Sequence, residues 1–276
     1  MDIPAPGSFA SVLSEPSFES PTIVQHPQSK LDLRPQCKIR QAVVMAGGKG
    51  ARLHPYSATL PKPLMPLGDI TILELLLYQF QKAGITDVIM SINHLGHLIK
   101  AYFADGAKYG MRITYVSEDH PLGTAGALAS VIEDLDEHFF VTNGDLLTTL
   151  NSGRMLATHL ATGAAATIGV FKRTLKVEFG VIETDDQSRL IAYREKPKSD
   201  HLVSMGIYIL HRDAVLPHVR LNEYLDMPDL LLRMKAAKAD VRCYQEDCIW
   251  LDVGRPDDFA LAQTMFCENP KIFLGN

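Results

Sequence analysis

The chain has 276 residues, 46% of them hydrophobic, and a formal net charge of -5. That length and apolar content support one sizeable core, while the acidic balance and the lack of a basic run exclude a nucleic-acid partner held by phosphate neutralisation. No apolar stretch approaches the roughly 18 residues of a membrane span, no secretory signal pattern opens the chain, and Cys37, Cys243, Cys248 and Cys267 follow no metal or disulfide spacing, so the reading is a cytoplasmic protein with reduced thiols.

Residues 1–38 carry Pro4, Pro6, Pro16, Pro21, Pro27 and Pro35 among polar residues without a sustained period, and read as a flexible leader or as an arm against a neighbouring subunit. One domain is expected over 39–276. Its first strand, 42–46, runs directly into Gly47, Gly48, Lys49, Gly50 and Arg52, followed at short range by Pro61-Lys62-Pro63. Glycine lets backbone N–H groups converge on an anion without a Cβ in the way, and Arg52 and Lys62 supply fixed positive charge, so this segment reads as a phosphate-binding loop. It is neither a P-loop, which needs Ser or Thr after the lysine, nor a dinucleotide fingerprint, which needs glycine where Leu53 stands.

Next comes a helix over 72–83. Thr71 and Glu74 form a capping box, Ile72, Leu75, Leu76, Phe80 and Ala83 share a face, and Gly84 ends it. Strands at 87–92, 113–116 and 139–142, with a helix over 96–104, continue a β-α-β alternation that implies a mostly parallel sheet flanked by helices. Between them Glu118-Asp119-His120-Pro121-Leu122-Gly123-Thr124-Ala125-Gly126 reads as a loop whose bare backbone could receive a flat base, and equally as a helix start capped by Thr124. After about residue 151 the pattern becomes β-rich (165–171, 180–183, 190–193, 203–210), as in a second lobe continuous with the sheet. A last helix spans 256–267, with Pro256 in its first turn and Asp257 and Asp258 favourable to its dipole.

Two aspartates end apolar strand-like runs beside glycine: Asp145 in Asn143-Gly144-Asp145 and Asp252 in Leu251-Asp252-Val253-Gly254. Singly, each is an ordinary turn former. Ligands of such sheets sit beyond the carboxyl ends of the strands, so a pair at the phosphate-loop edge points to Mg²⁺, which takes a few carboxylate oxygens together with substrate phosphates. Glu195-Lys196-Pro197 is either a solvated turn or a second source of positive charge for two mutually repelling phosphates. His94 and His97 lack a third zinc ligand, and no serine or cysteine sits in a nucleophile elbow.

Taken in order, Ala46-Gly47-Gly48-Lys49-Gly50-Ala51-Arg52-Leu53, Pro61-Lys62-Pro63, Pro121-Leu122-Gly123-Thr124-Ala125-Gly126, Asn143-Gly144-Asp145, Phe179-Gly180-Val181, Glu195-Lys196-Pro197, Gly206-Ile207-Tyr208 and Trp250-Leu251-Asp252-Val253-Gly254 resemble the sugar nucleotidyltransferase family over about 41–265. The likeness is strongest to its guanylyltransferase-like members, which often carry upstream CBS domains. It implies a Rossmann-like mixed α/β fold with a β-rich sugar-binding lobe. The implied activity is Mg²⁺-dependent transfer of a nucleoside monophosphate from a triphosphate, GTP favoured, to a sugar 1-phosphate, by a homodimer. Arg52, Lys62 and Lys196 would handle the reacting phosphates and Asp145 and Asp252 the metal. Ala46, Gly47, Gly48, Lys49, Gly50, Asn93, Gly123 and Thr124 would bind the nucleotide, and Gly180, Glu195 and Ser204 the sugar. Ala51 stands where the family more often has threonine, and Ser204-Met205 precedes Gly206 where asparagine is frequent, which leaves the sugar undefined. A catalytically silent nucleotide-sugar sensor and a transferase acting on a non-sugar phosphate are the alternatives.

Overall fold

The computed structural model describes residues 39–118 and 120–274. The expected leader over 1–38, with Cys37, lies outside the described residues, as does Asp119. In chain order the elements are β1 (Gln41–Met45), β2 (Pro66–Leu67), β3 (Ile70–Thr71), α1 (Ile72–Ala83), β4 (Asp87–Ile92), α2 (Gly96–Phe103), β5 (Arg112–Ser117), α3 (Gly123–Gly126), β6 (His138–Asn143), β7 (Leu146–Thr148) and α4 (Ser152–Thr162). They continue with β8 (Ala166–Lys176), β9 (Val181–Thr184), β10 (Leu190–Arg194), β11 (Lys198–His211), α5 (Arg212–Val215), α6 (Met227–Ala236), β12 (Val241–Gln245), β13 (Trp250–Asp252), α7 (Pro256–Glu268) and α8 (Pro270–Leu274).

Seven strands form the main sheet in the order β12-β8-β11-β6-β1-β4-β5. The half β6-β1-β4-β5 is parallel. β11 runs antiparallel to both β6 and β8, and β12 pairs parallel to β8, so the sheet is mixed but mostly parallel, as expected. β1 shows why it stands at the centre: Ala42 and Val44 enter the core shared with α1, α2 and α4, while Val43 enters the core on the other face with α3, α5 and α6. A strand buried on both faces reads as the continuous apolar run seen in the sequence. A third core joins β2, β3, α7 and α8 around Leu53, Leu147 and Val253.

The α1 capping box forms: Glu74 N–H donates to Thr71 Oγ1 (3.1 Å) and Thr71 N–H to Glu74 Oε2 (2.8 Å). Glu74 is also buried and accepts hydroxyls from Tyr102 (2.9 Å) and Tyr109 (2.8 Å). Burial pushes its carboxyl upward, but the Thr71 N–H, the two tyrosines and Lys108 outweigh it and hold it below its ordinary range.

The β-rich lobe is longer than the apolar pattern suggests. β8 and β11 extend past Phe171 and Ser204 as a paired, solvated arm reaching Lys176↔Lys198, and β9 pairs with β10 beside it. Charged and polar residues such as Lys172, Arg173 and Asp200 leave these outer halves without an apolar face to read. The β8–β11 register breaks between Ser204 and Tyr208, where Gly206 takes φ 73.

Candidate active site

β1, β4, β5 and β6 all deliver their carboxyl ends to one edge of the sheet, and the segments that follow them build a cavity of about 480 Å³. Ala46, Gly47, Gly48 and Lys49 line it, joined by Lys62, Asn93, Gly123, Thr124 and Asp145. The Ala46 N–H still bonds to the Ser91 carbonyl (2.8 Å), which carries the β1 ladder into the loop. Beyond it the chain passes close over Asn93: a Cβ at Gly47 would lie 3.2 Å from Asn93 Cβ and 3.3 Å from its nitrogen. Gly50 adopts φ 60, and Ser57 Oγ donates to its carbonyl (2.8 Å), fixing the far end of the loop beside Lys62.

Lys62, buried in a short turn after Pro61, reaches both predicted aspartates. Its ammonium contacts Asp145 Oδ2 closely and lies 3.3 Å from Asp252 Oδ1. Topology explains how aspartates so far apart in sequence meet. β13 pairs antiparallel with β7, which sets Asp252 opposite Leu146, and the Val253 N–H bonds to the Asp145 carbonyl (3.1 Å). Asp145 Oδ1 is buried with no hydrogen-bond partner. Burial pushes the Asp145 carboxyl up, Asp252 adds to the rise, and Lys62 opposes it by favouring the charged form. Two carboxylates against one ammonium, with one carboxylate oxygen unpartnered, form a hard-oxygen donor set that fits Mg²⁺.

The opposite wall joins two loops. The N–H groups of Ala125 (2.9 Å) and Gly126 (3.0 Å) donate to the Leu225 carbonyl, and the Leu225 N–H returns to Leu122 (2.8 Å). Asp226 Oδ1 accepts from the Thr124 N–H (3.0 Å) and hydroxyl (3.2 Å), and Oδ2 accepts from Tyr224 (2.7 Å). These bonds, the Thr124 N–H foremost, hold the Asp226 carboxyl below its ordinary range. The sequence expectation for Thr124 needs correction here. It does not cap its own helix, which starts after Leu122; its hydroxyl accepts the Met227 N–H (2.8 Å) at the start of α6. Glu118 supports the floor, accepting from Ser91 Oγ and the Leu122 N–H (3.0 Å), while its carbonyl takes Asn93 Nδ2 (3.1 Å). Ser91, Tyr224 and Asp226 therefore belong to the cavity without having been singled out from sequence, and Glu118 and Asn143, legible only as members of motifs, join them.

Arg52 and Asp252 stand at the rim rather than in the lining. A Cβ on Gly254 would lie 3.5 Å from both Arg52 Nη2 and Asp252 Oδ1, so the arginine shares the carboxylate corner. Gly180, Glu195 and Lys196 form a separate group on the arm. Tyr193 Oη donates to Glu195 Oε2 (3.1 Å), a Cβ on Gly180 would meet that hydroxyl, and Lys196 turns the chain with φ 44. None of the three lines the cavity, nor does Ser204, whose hydroxyl meets Tyr208 Oη (2.9 Å) and the Gly206 N–H (3.3 Å). The connection to the cavity runs through Gly206 instead, where an added Cβ would lie 2.6 Å from the Asn143 side-chain amide nitrogen.

Fold and site together define an α/β protein with a cleft at the carboxyl edge of its parallel strands, where such sheets keep nucleotide ligands. The family model described as nucleotidyl transferase matches residues 41–269, and the chain belongs to that family. It is 32% identical to a mannose-1-phosphate guanylyltransferase of Mycobacterium tuberculosis, over 79% of this chain and 62% of that one. It is 30% identical to a D-glycero-alpha-D-manno-heptose 1-phosphate guanylyltransferase of Aneurinibacillus thermoaerophilus, over 81% of this chain and 96% of that one. A UTP--glucose-1-phosphate uridylyltransferase of Synechocystis matches at 29%, over 79% of this chain and 61% of its own. The chain thus spans less than two thirds of the mycobacterial and Synechocystis relatives. In fold it is similar to HddC of Yersinia pseudotuberculosis, with a TM-score of 0.62 at 21% identity, covering 82% of this chain and 99% of the other. Among the described residues no helix is long and apolar enough to cross a membrane.

Proposed function

We propose that this chain transfers a nucleoside monophosphate from a nucleoside triphosphate, GTP favoured, to a sugar 1-phosphate, releasing pyrophosphate in an Mg²⁺-dependent reaction. The observation that carries the reading is the convergence of Lys62, Asp145 and Asp252 at the glycine-loop cavity. Asp145 and Asp252 are the residues to hold Mg²⁺, which when bound neutralises charge on the triphosphate. The backbone of Gly47 and Gly48 lies against the phosphates, and the wall formed by Gly123, Thr124, Glu118 and Asp226 receives the nucleoside. Lys62 stands where charge concentrates on the reacting phosphate, and Arg52, at the same corner, meets the departing pyrophosphate. Attack by the sugar phosphate is direct and in line, so the chain's work is positioning and electrostatic stabilisation. The arm residues Gly180, Glu195, Lys196 and Ser204 serve the sugar 1-phosphate, which requires the arm to approach the cleft when that substrate binds. The guanylyltransferase names of two relatives support GTP, and the uridylyltransferase keeps UTP in the test.

Pyrophosphate release measured with each component withheld in turn tests the reading. Release is expected only when triphosphate, sugar 1-phosphate and Mg²⁺ are all present. Tight binding of a nucleotide sugar without turnover would replace it with a sensor, and turnover with phosphorylated alcohols alone would move it to another acceptor class.

A further inference from the structure

At the other edge of the sheet, roughly 17 Å along β6 from Asn143 at ~3.3 Å per residue, lies a histidine cluster that the transfer reaction does not use. His138 opens β6 and His211 closes β11, and the antiparallel register sets them directly opposite each other. Residues so paired project from the same face with their Cβ atoms adjacent. Their rings stand nearly perpendicular, with centroids 4.8 Å apart. Glu137, one residue before His138, brings Oε1 to 3.3 Å from His211 Nε2. One donor atom from each of Glu137, His138 and His211 can be chosen so that all lie within 4.8 Å of one another.

Behind them the network is ordered for a ligand. His138 Nδ1 lies 2.9 Å from His159 Nε2, and His159 Nδ1 lies 2.8 Å from Thr167 Oγ1. One proton arrangement satisfies both contacts: His138 Nδ1–H donates to His159, and His159 Nδ1–H donates to Thr167. That leaves the His138 Nε2 lone pair uncommitted to His159. A metal-binding histidine usually donates its second nitrogen in this way, to a partner that fixes its tautomer. His159 is fully buried, which suits a supporting residue, whereas Glu137 is 64% exposed in its side chain and leaves a path from solvent. His211 Nδ1 is buried without any hydrogen-bond partner, so no protein group accounts for that nitrogen.

We propose that Glu137, His138 and His211 form a binding site for a divalent transition metal of the zinc class, separate from the glycine-loop cleft. Two imidazoles and a carboxylate suit Zn²⁺, Ni²⁺ or Cu²⁺, whereas Mg²⁺ prefers an all-oxygen set. Three protein ligands leave a fourth position for water or a side chain from another molecule. The ion would tie β6 to β11 at the end of β11 remote from the arm, where the parallel half of the sheet meets this antiparallel strand.

The test uses the full chain, stripped by chelator, in excess Mg²⁺ and a non-thiol reductant, and titrated with Zn²⁺ against a chromophoric competitor. One tight equivalent is expected, accompanied by a rise in Tm. It should disappear in His211→Gln and weaken at least tenfold in Glu137→Gln, while Cys243→Ser and Asp252→Asn retain it. Melting curves of the metal-free variants check folding, and Glu137→Gln, at an exposed side chain, decides the matter should His211→Gln not fold. Absence of a tight equivalent in the wild type, or equal binding in wild type and Glu137→Gln, would overturn the proposal.

Discussion

Asp226→Asn isolates the join between the two loops of the nucleotide wall. The carboxylate accepts three hydrogen bonds, from the Thr124 N–H, the Thr124 hydroxyl and Tyr224, at 3.0, 3.2 and 2.7 Å. An asparagine oxygen can keep the Thr124 N–H, and Tyr224 can rotate to accept from the new amide, so the loss is mainly one of charge. Hydrogen bonds to an ionised group contribute about 1.5–3 kcal/mol against about 0.5–1.5 for neutral ones. Asp226 is partly exposed, and solvent screening reduces that difference, leaving roughly 1.5 kcal/mol over the three bonds. At 1.4 kcal/mol per decade this is about a tenfold rise in the KM for the triphosphate. Lys62, Asp145 and Asp252 are untouched, so kcat should stay within about threefold. Initial rates of pyrophosphate release with varied triphosphate at saturating sugar 1-phosphate, alongside calorimetric nucleotide binding, give both numbers. An unchanged KM, or a collapse of kcat at constant KM, would refute the assignment of Asp226 to the nucleotide wall.

Gly123→Ala should act on the same wall through the backbone. Gly123 has φ 79, and an added Cβ would lie 2.5 Å from the Leu225 carbonyl oxygen. Left-handed strain of about 1–2 kcal/mol plus the clash should lower Tm by roughly 4–8 °C, as a thermal melt will read; an unchanged Tm would mean the loop is not held this way in solution. Glu74 governs an acid limb of stability. Its folded pKa is depressed below the ordinary 4.5, so its contribution is complete above that value and is lost as pH falls through the folded one. Urea unfolding of Glu74→Gln should show lower stability at pH 7 and a shallower decline below pH 4.5 than wild type, and parallel pH profiles would count against the buried carboxylate hub.

Much of the parallel half was legible because its signals are local. The Thr71–Glu74 box with Gly84, and the two-faced apolar run of β1, each determine an element within a few residues. The glycine loop with Lys62, and Asp145, could be grouped because each follows a strand whose carboxyl end must reach the same edge; Gly123 and Thr124 were legible as bare backbone for a base, and Asn93 only through the family resemblance. Asp226 could not be grouped with them, since the loop it joins, at Thr124, is distant in sequence. Asp226-Met227-Pro228 did carry a signal, an acidic residue before a proline-started helix, yet that pattern points to an N-cap, whereas the carboxylate turns across to Thr124. The outer halves of β8 and β11 escaped for another reason: past Phe171 and before Val203 these two strands are solvated, so no apolar alternation marks them, whereas the strands at 180–183 and 190–193 were legible. Gly180, Glu195 and Lys196 then follow the arm's geometry rather than the cavity's.

The most direct measurement is pyrophosphate release by Lys62→Ala, Asp145→Ala and Asp252→Ala beside wild type, with GTP, a sugar 1-phosphate and Mg²⁺, and with triphosphate binding followed separately. Each substitution should cost on the order of 10²–10³ in kcat while the glycine-loop cavity still binds nucleotide. Full activity in all three would contradict the account.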